Sequence, residues 1–234
     1  MLLDCFGTLV AMEPPAPHLQ AELARTAGLE VSEEEAEAAF RAEITHYLAH
    51  HLEGSDAASL DRLRDDCAEV IRTALGRPRG VERRAVREAM LAAIRFHPFP
   101  DAAPALRALR DRGIRLVVAS NWDASLPEVL ERVGLAPLLD GVVASAMVGR
   151  AKPAPELFHA ALELAGVEPG RALYVGDSLD HDAIGARAAG LRPVLIERPA
   201  PGEYGLSRSA HGAIGGGAAG VPIITSLEAL HSVR

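Results

Sequence analysis

The chain opens on three apolar residues, Met1-Leu2-Leu3, which run into Asp4 and are broken by Gly7 and Thr8. A short apolar run that ends in a carboxylate and then a glycine turn predicts a buried strand with Asp4 at its carboxyl end. A Pro-rich connector, AMEPPAPH, follows Val10. From about Ala16 to Phe96 every periodic segment has helical spacing. Residues 16–27 stop at Gly28, and Ser32 with Glu35 forms a capping box that opens a helix over about 33–53. Ser55-Asp56 opens a third helix over about 57–75, ended by Gly76, and a fourth covers about 81–95. No alternating strand pattern interrupts this block. It reads as an all-helical insert, residues 13–97, lying between the first strand and everything that follows.

From Pro98 the texture changes to alternating strand and helix. Asp101 is expected to cap a helix reaching Arg112. Apolar runs at 114–119, 141–144, 172–175, 192–196 and 222–225 predict strands covered on both faces. Helices are expected between them, over about 125–133, from Pro153 to Ala165 and over about 180–189, with Ser226 capping a last short one. Repeated βα units imply a parallel sheet. The expected fold is therefore α/β, a Rossmann-like parallel-sheet core of residues 1–12 and 98–234 that carries the helical insert. Residues 199–221 are rich in Gly, Ala, Ser and Pro and read as a loop. Gly215, Gly217 and Gly220 match a G-x-G-x-x-G string there, but it precedes a strand instead of opening a helix, so it carries no nucleotide-binding meaning.

Composition narrows the function classes. The net charge is −8 with no basic stripe, which argues against a nucleic-acid partner. No run of about 18 apolar residues is present, so no membrane span is expected. Cys5 and Cys67 are too few for a disulfide framework and suit a reducing cytosol. The opening apolar run has no basic flank and is broken by Asp4, so it does not read as a signal peptide, and a cytoplasmic location is expected. One count is sharper: of 24 Lys and Arg residues, only Lys152 is a lysine. A compact ammonium differs from a guanidinium fork, so a lone lysine suggests a place where Arg will not serve.

Four predicted strand ends carry polar groups: Asp4 with Thr8, Ser120 with Asn121, the segment at Lys152, and Asp177 with Asp182. If the strands are neighbours, these groups line one rim of the sheet, where open α/β sheets bind ligands. Such a rim suits phosphoryl transfer through an aspartyl intermediate. A carboxylate attacks, a hydroxyl and an ammonium hold the transferring oxygens, and a second carboxylate holds Mg²⁺. Each residue alone has an ordinary explanation: Asp4 as a turn cap, Lys152 as a surface lysine, Asp182 as a helix first-turn carboxylate.

The motifs Asp4-Cys5-Phe6-Gly7-Thr8, Ser120-Asn121, Lys152-Pro153 and Gly176-Asp177-Ser178-Leu179-Asp180-His181-Asp182 occur in order, and the chain resembles the haloacid dehalogenase superfamily. SNWDASL, GRAKPAPELF and YVGDSLDHDAIGARAAG are most similar to the branch named for a rhythmically expressed gene product. The resemblance implies that Asp4 is the nucleophile and that Thr8, Ser120, Asn121 and Lys152 grip the phosphoryl group. It also implies that Asp4, the Phe6 main-chain carbonyl and Asp177 bind Mg²⁺, with Asp182 beside them. The helical insert resembles that family's cap, which closes over the active site and helps choose the substrate. The implied partner is a small phosphorylated molecule, and either a monomer or a homodimer fits.

Phe6 departs from the family pattern. It stands where the phosphatases usually carry a proton-donating Asp. A phosphatase with unusual substrates, such as an acyl phosphate, is one reading. A replacement acid would then come from Glu13 or from the cluster His46, Tyr47, His50 and His51, which otherwise reads as a solvated helix face. A 2-haloacid dehalogenase is another, since relatives of that kind carry an aromatic residue at this position, although the intact Gly176-Asp177 counts against it. A phosphonate hydrolase would need a lysine in the insert, and there is none. A non-catalytic binder of phosphorylated metabolites completes the set.

Overall fold

The computed structural model describes residues 1–198 and 220–231. Most of the segment read as a loop, with Gly215 and Gly217, lies outside the described residues. The chain forms two compact units, Met12–Phe96 and the combination of Met1–Ala11 with His97–Arg234.

The first of these holds four helices, α1 (Pro15–Ala27), α2 (Glu33–His50), α3 (Ala57–Ala74) and α4 (Arg83–Ala93). Each packs on two others, α1 on α2 and α4, and α3 on α2 and α4. The start signals are local. Pro15 occupies the first turn of α1, where its missing N–H costs nothing. Ser32 and Glu35 exchange side-chain and backbone bonds at 3.1 and 2.8 Å to start α2, and Asp56 and Ser59 do the same for α3. Gly28 ends α1 in the left-handed region at φ 59°. Apolar stripes at helical spacing face inward, for example Leu60, Leu63, Cys67 and Ile71 on α3.

The other unit is built on a six-stranded sheet. In chain order the strands are β1 (Leu2–Leu3), β2 (Val10–Met12), β3 (Phe96–Pro98), β4 (Val117–Ser120), β5 (Gly141–Ala144), β6 (Leu173–Gly176), β7 (Arg192–Ile196) and β8 (Ile223–Ile224). The sheet order is β5-β4-β1-β6-β7-β8, every pair parallel, while β2 and β3 form a separate two-stranded sheet. The fold is thus α/β with a Rossmann-like sheet. Strand β1 lies between β4 and β6, so the order reverses there, and the crevice at a reversal is where such sheets place ligands. The helices are α5 (Ala102–Asp111), α6 (Leu126–Arg132), α7 (Ser145–Val148), α8 (Pro155–Ala165) and α9 (Gly185–Ala188). Leu157, Phe158 and Ala161 of α8 and Ala186 of α9 join Leu2, Val117, Ala119 and Tyr174 in one buried cluster.

Several boundaries depart from the sequence reading. The strands β2 and β3 lie where only connector and helix were expected; they are three residues each, too short for a period to show. Strand β4 begins at Val117, not Ile114, because its partner β1 begins at Leu2 and the Val117 N–H already bonds the Met1 carbonyl. Helix α8 begins at Pro155, not Pro153, because the backbone of Lys152 is held by the Asn121 side chain. Asp101 precedes α5 without capping it; its carboxylate is bonded to Arg198, Ser226 and Leu227 instead. The expected helix over 180–189 is a π-helical turn, Leu179–Ile184, followed by α9.

One buried acid stands out in the helical unit. Glu43 continues the inward stripe of α2 after Ala36, Ala39 and Phe40 and is 3% exposed. Burial raises its pKa from 4.5 to about 7, against the opposing pull of a Cys67 hydrogen bond. The folded state therefore keeps a proton that the unfolded chain releases, and stability falls as pH rises from the unfolded value through the folded one. In urea unfolding, the wild type is expected to lose about 3 kcal/mol relative to Glu43→Gln between about pH 4.5 and 8. A flat difference would show that Glu43 is not a protonated buried acid.

Candidate active site

Asp4 follows β1, with its N–H bonded to the Val175 carbonyl at 2.8 Å. Ser120 ends β4, and its hydroxyl donates to Asp4 Oδ1 at 2.6 Å. The Lys152 ammonium lies 2.7 Å from Asp4 Oδ1 and 2.6 Å from Asp182 Oδ1. Asp177 follows β6, and Asp4, Asp177 and Asp182 offer carboxylate oxygens within 4.8 Å of one another. Four sequence-distant segments thus meet at the carboxyl edge of three adjacent strands. Lys152 is not a surface lysine, being 4% exposed, and Asp182, at 1%, is not a solvated helix carboxylate.

Side chains beyond these hold the group in place. The Asn121 amide donates to the Lys152 carbonyl at 3.1 Å and its oxygen accepts from the Lys152 N–H at 2.7 Å, so Asn121 orients the lysine through its backbone. The Tyr174 hydroxyl accepts from Lys152 Nζ at 2.8 Å and donates to the Ala119 carbonyl at 2.8 Å. In the π-helical turn, the N–H groups of both Asp182 and Ala183 reach the Ser178 carbonyl, and Asp182 Oδ2 accepts from the Ser178 N–H at 2.9 Å. The widened turn aims Asp182 at Lys152. Two glycines make room: a Cβ on Gly176 would fall on the Asp182 carboxylate, and one on Gly7 would fall on that of Asp177. Gly7 also has φ +74°, which strains any other residue.

The charges do not balance. Three carboxylates face one ammonium, a formal net of −2 with all three ionised, and Asp4, Asp182 and Lys152 are buried while Asp177 is partly so. Burial, and then the charges of Asp182 and Asp4, push Asp177 well above the usual carboxylate range. Burial also raises Asp4, opposed by Lys152 and by the Ser120 hydrogen bond. For Lys152, burial works against the charged form but Asp182 and Asp4 outweigh it, so its pKa rises. An all-oxygen cluster with unbalanced negative charge fits a hard divalent cation such as Mg²⁺. The Thr8 hydroxyl is buried and has no hydrogen-bond partner among the described residues, as an oxygen that binds a ligand would be.

The remaining candidates are placed as follows. Phe6 is half-buried and forms a β-bridge with Val10. Glu13, His46, Tyr47 and His50 belong to the helical unit. The Glu13 carboxylate is bonded to His18 at 2.8 Å, and the rings of His46 and His50 stack at 4.1 Å. Tyr174 was missed in the sequence because an aromatic residue in a strand looks like core. Its only signal is being a hydroxyl-bearing ring two positions before Gly176.

Removing Lys152 leaves two buried carboxylates without their cation. Lys152→Met is expected to destabilise the protein by about 3–5 kcal/mol in denaturant unfolding. Asp177→Asn removes a repelling charge and should raise the melting temperature of metal-free protein. It should also abolish stabilisation by added Mg²⁺, which in the wild type should be larger at about pH 8 than at about pH 5.5, because the ion competes with protons. An Mg²⁺ response that survives Asp177→Asn would separate the metal from this carboxylate cluster.

The family profile of haloacid dehalogenase-like hydrolases matches residues 1–190. The bovine (Bos taurus) haloacid dehalogenase-like hydrolase domain-containing protein 3 is 45% identical over 100 residues, 43% of this chain and 40% of that protein. A glyceraldehyde 3-phosphate phosphatase from Methanopyrus kandleri is 41% identical over 102 residues, 43% of this chain and 44% of its own length. The chain thus matches less than half the length of these curated relatives. A phosphatase structure from Thermococcus onnurineus aligns over 99% of this chain and 95% of its own at TM-score 0.58 and 25% identity. The L-2-haloacid dehalogenase of Xanthobacter autotrophicus aligns over 98% and 95% at TM-score 0.63 and 19% identity, a likeness of fold. With its sheet order, the polar groups gathered at the carboxyl edge of β1, β4 and β6, and a profile match across most of its length, this chain belongs to the haloacid dehalogenase-like hydrolases.

Proposed function

We propose that this chain is a Mg²⁺-dependent phosphatase acting on small phosphorylated metabolites through an aspartyl-phosphate intermediate. The observation that carries the reading is the buried Asp4 carboxylate gripped by Ser120 and Lys152 beside two further carboxylates. Both donors fall on Asp4 Oδ1, which leaves Oδ2 to attack phosphorus. The new O–P bond forms as the P–O bond to the leaving group breaks, and that oxygen keeps the electron pair. Water then attacks phosphorus, releases inorganic phosphate and restores Asp4. Lys152, the Ser120 and Thr8 hydroxyls and the Asn121 N–H hold the phosphoryl oxygens. Asp4, the Phe6 carbonyl and Asp177 would hold Mg²⁺, with Asp182 alongside. When bound, the ion supplies positive charge that offsets repulsion between nucleophile and anionic substrate.

Phe6 cannot deliver a proton to the leaving oxygen. The reading therefore favours substrates whose leaving group departs as an anion, acyl phosphates above all. By resemblance we also assign substrate choice to the helical residues 13–97, with Glu13, His46, Tyr47 and His50 as candidate contacts. A second reading, carboxylate attack on a carbon–halogen bond, draws on Phe6, since that bond breaks without a proton. The Asp177 carboxylate in the cluster weighs against it.

Phosphate release from a panel of phosphate esters and acyl phosphates with Mg²⁺, with Asp4→Asn as the blank, tests the proposal. Acyl phosphates should turn over fastest. Phe6→Asp should raise the rate on alkyl phosphates by about 10²–10⁴-fold and leave acyl phosphates nearly unchanged. Halide release from 2-chloropropionate without Mg²⁺ would favour the second reading. Thermal stabilisation by phosphate esters with no turnover of any would make the chain a binder.

A further inference from the structure

The loop that carries Thr8 is tied down by a residue almost two hundred positions away. Its own backbone bonds account for most of its polar groups. The Cys5 carbonyl accepts from the N–H groups of Thr8, Leu9 and Val10, the Gly7 N–H reaches the Val10 carbonyl, and the Leu9 carbonyl accepts from Phe99. The Thr8 carbonyl is taken from outside. Arg198, just after β7, donates to it from Nη2 at 2.6 Å and from Nε at 3.2 Å. Its remaining arm, Nη1, donates to Asp101 Oδ2 at 2.8 Å. The same carboxylate oxygen accepts from the Ser226 hydroxyl at 2.9 Å and the Leu227 N–H at 2.8 Å. The guanidinium lies over the Phe99 ring, 4.1 Å from its centroid. The Arg198 and Asp101 side chains are 8% and 15% exposed, so this is an enclosed pair and not a surface ion pair.

We propose that Arg198 is a positioning residue for the reaction, its guanidinium bridging Asp101 to the Thr8 carbonyl and so fixing the direction of the Thr8 hydroxyl. The Thr8 hydroxyl has no hydrogen-bond partner among the described residues, so its aim follows its backbone. Arg198 anchors that backbone at the Thr8 carbonyl. Only a planar fork can reach the carbonyl and the carboxylate at once, and a lysine would satisfy one of them. Asp101 keeps its charge although burial opposes it, because Arg198, the Leu227 amide and Ser226 outweigh that cost. The clamp is a property of the geometry, but its kinetic consequence rests on the phosphatase reading.

Hydrogen exchange separates the two. In Arg198→Met the amides of Gly7, Thr8, Leu9 and Val10 should exchange at least about tenfold faster, while those of Val117–Ser120 keep their wild-type rates. Arg198→Lys should fall between. Unchanged loop exchange would overturn the proposal whether or not the protein turns over. Should Arg198→Met fail to fold, Asp101→Asn, which weakens the bridge and keeps an acceptor for Leu227, should still quicken the same amides, and no change there would equally overturn it. With p-nitrophenyl phosphate, Arg198→Met should lower kcat by about 10–100-fold with little change in KM. In a Thr8→Val background it should lower kcat little further, because the hydroxyl it positions is gone. An equal loss in both backgrounds would overturn action through Thr8. Quickened loop exchange in a protein with no turnover would support the clamp and defeat the phosphatase reading.

Discussion

Lys152 is buried between Asp4 and Asp182, at 2.7 and 2.6 Å. Taking an ammonium and two carboxylates out of water is costly, and the arrangement persists only because every remaining hydrogen bond of the ammonium is directed. Tyr174 receives one of them and passes its own proton to the Ala119 carbonyl. Asn121 fixes the lysine from its backbone, and Ser178 fixes Asp182. Ser120 completes the grip on Asp4. The sheet order follows the same need, since β4, β1 and β6 must be adjacent for these groups to meet.

That concentration of oxygen anions also dictates where side chains are forbidden. Gly7 and Gly176 are glycines because carboxylates occupy the space where a Cβ would go. The group remains short of positive charge, and this shortfall links structure to chemistry. On the proposed reading, a divalent cation would offset the excess charge of the carboxylates, and Lys152, Ser120 and Thr8 would then hold the anionic phosphoryl group. What the site lacks is a proton donor at position 6, and Phe6 therefore steers the proposed chemistry toward leaving groups that need none.

Much of this was legible in the chain. The alternation of apolar runs and helical periods is local, as are the capping boxes at Ser32 and Asp56, and so the α/β class and most helices followed directly. Where local signals were weak the reading slipped. The strands β2 and β3 are too short to show a period, and the π-helical turn at Leu179–Ile184 exists because Asp182 must turn back toward Lys152. Asp101 looked like a helix cap because nothing near it in sequence announces Arg198.

The sequence by itself determined which residue types could do chemistry and the order in which they come: Asp4, Ser120, the single lysine and the Gly176-Asp177 pair. It also set Phe6 where a donor would otherwise stand. Only the tertiary structure decided how those groups are held. Tyr174 under Lys152, Glu43 inside the helical unit and the Arg198 bridge from Asp101 to Thr8 are contacts between helices, or between segments tens to hundreds of residues apart. Such contacts arise from packing, which brings together side chains whose local patterns give no sign of one another. A buried polar side chain reads in sequence like any other member of its strand or helix until its partners are known.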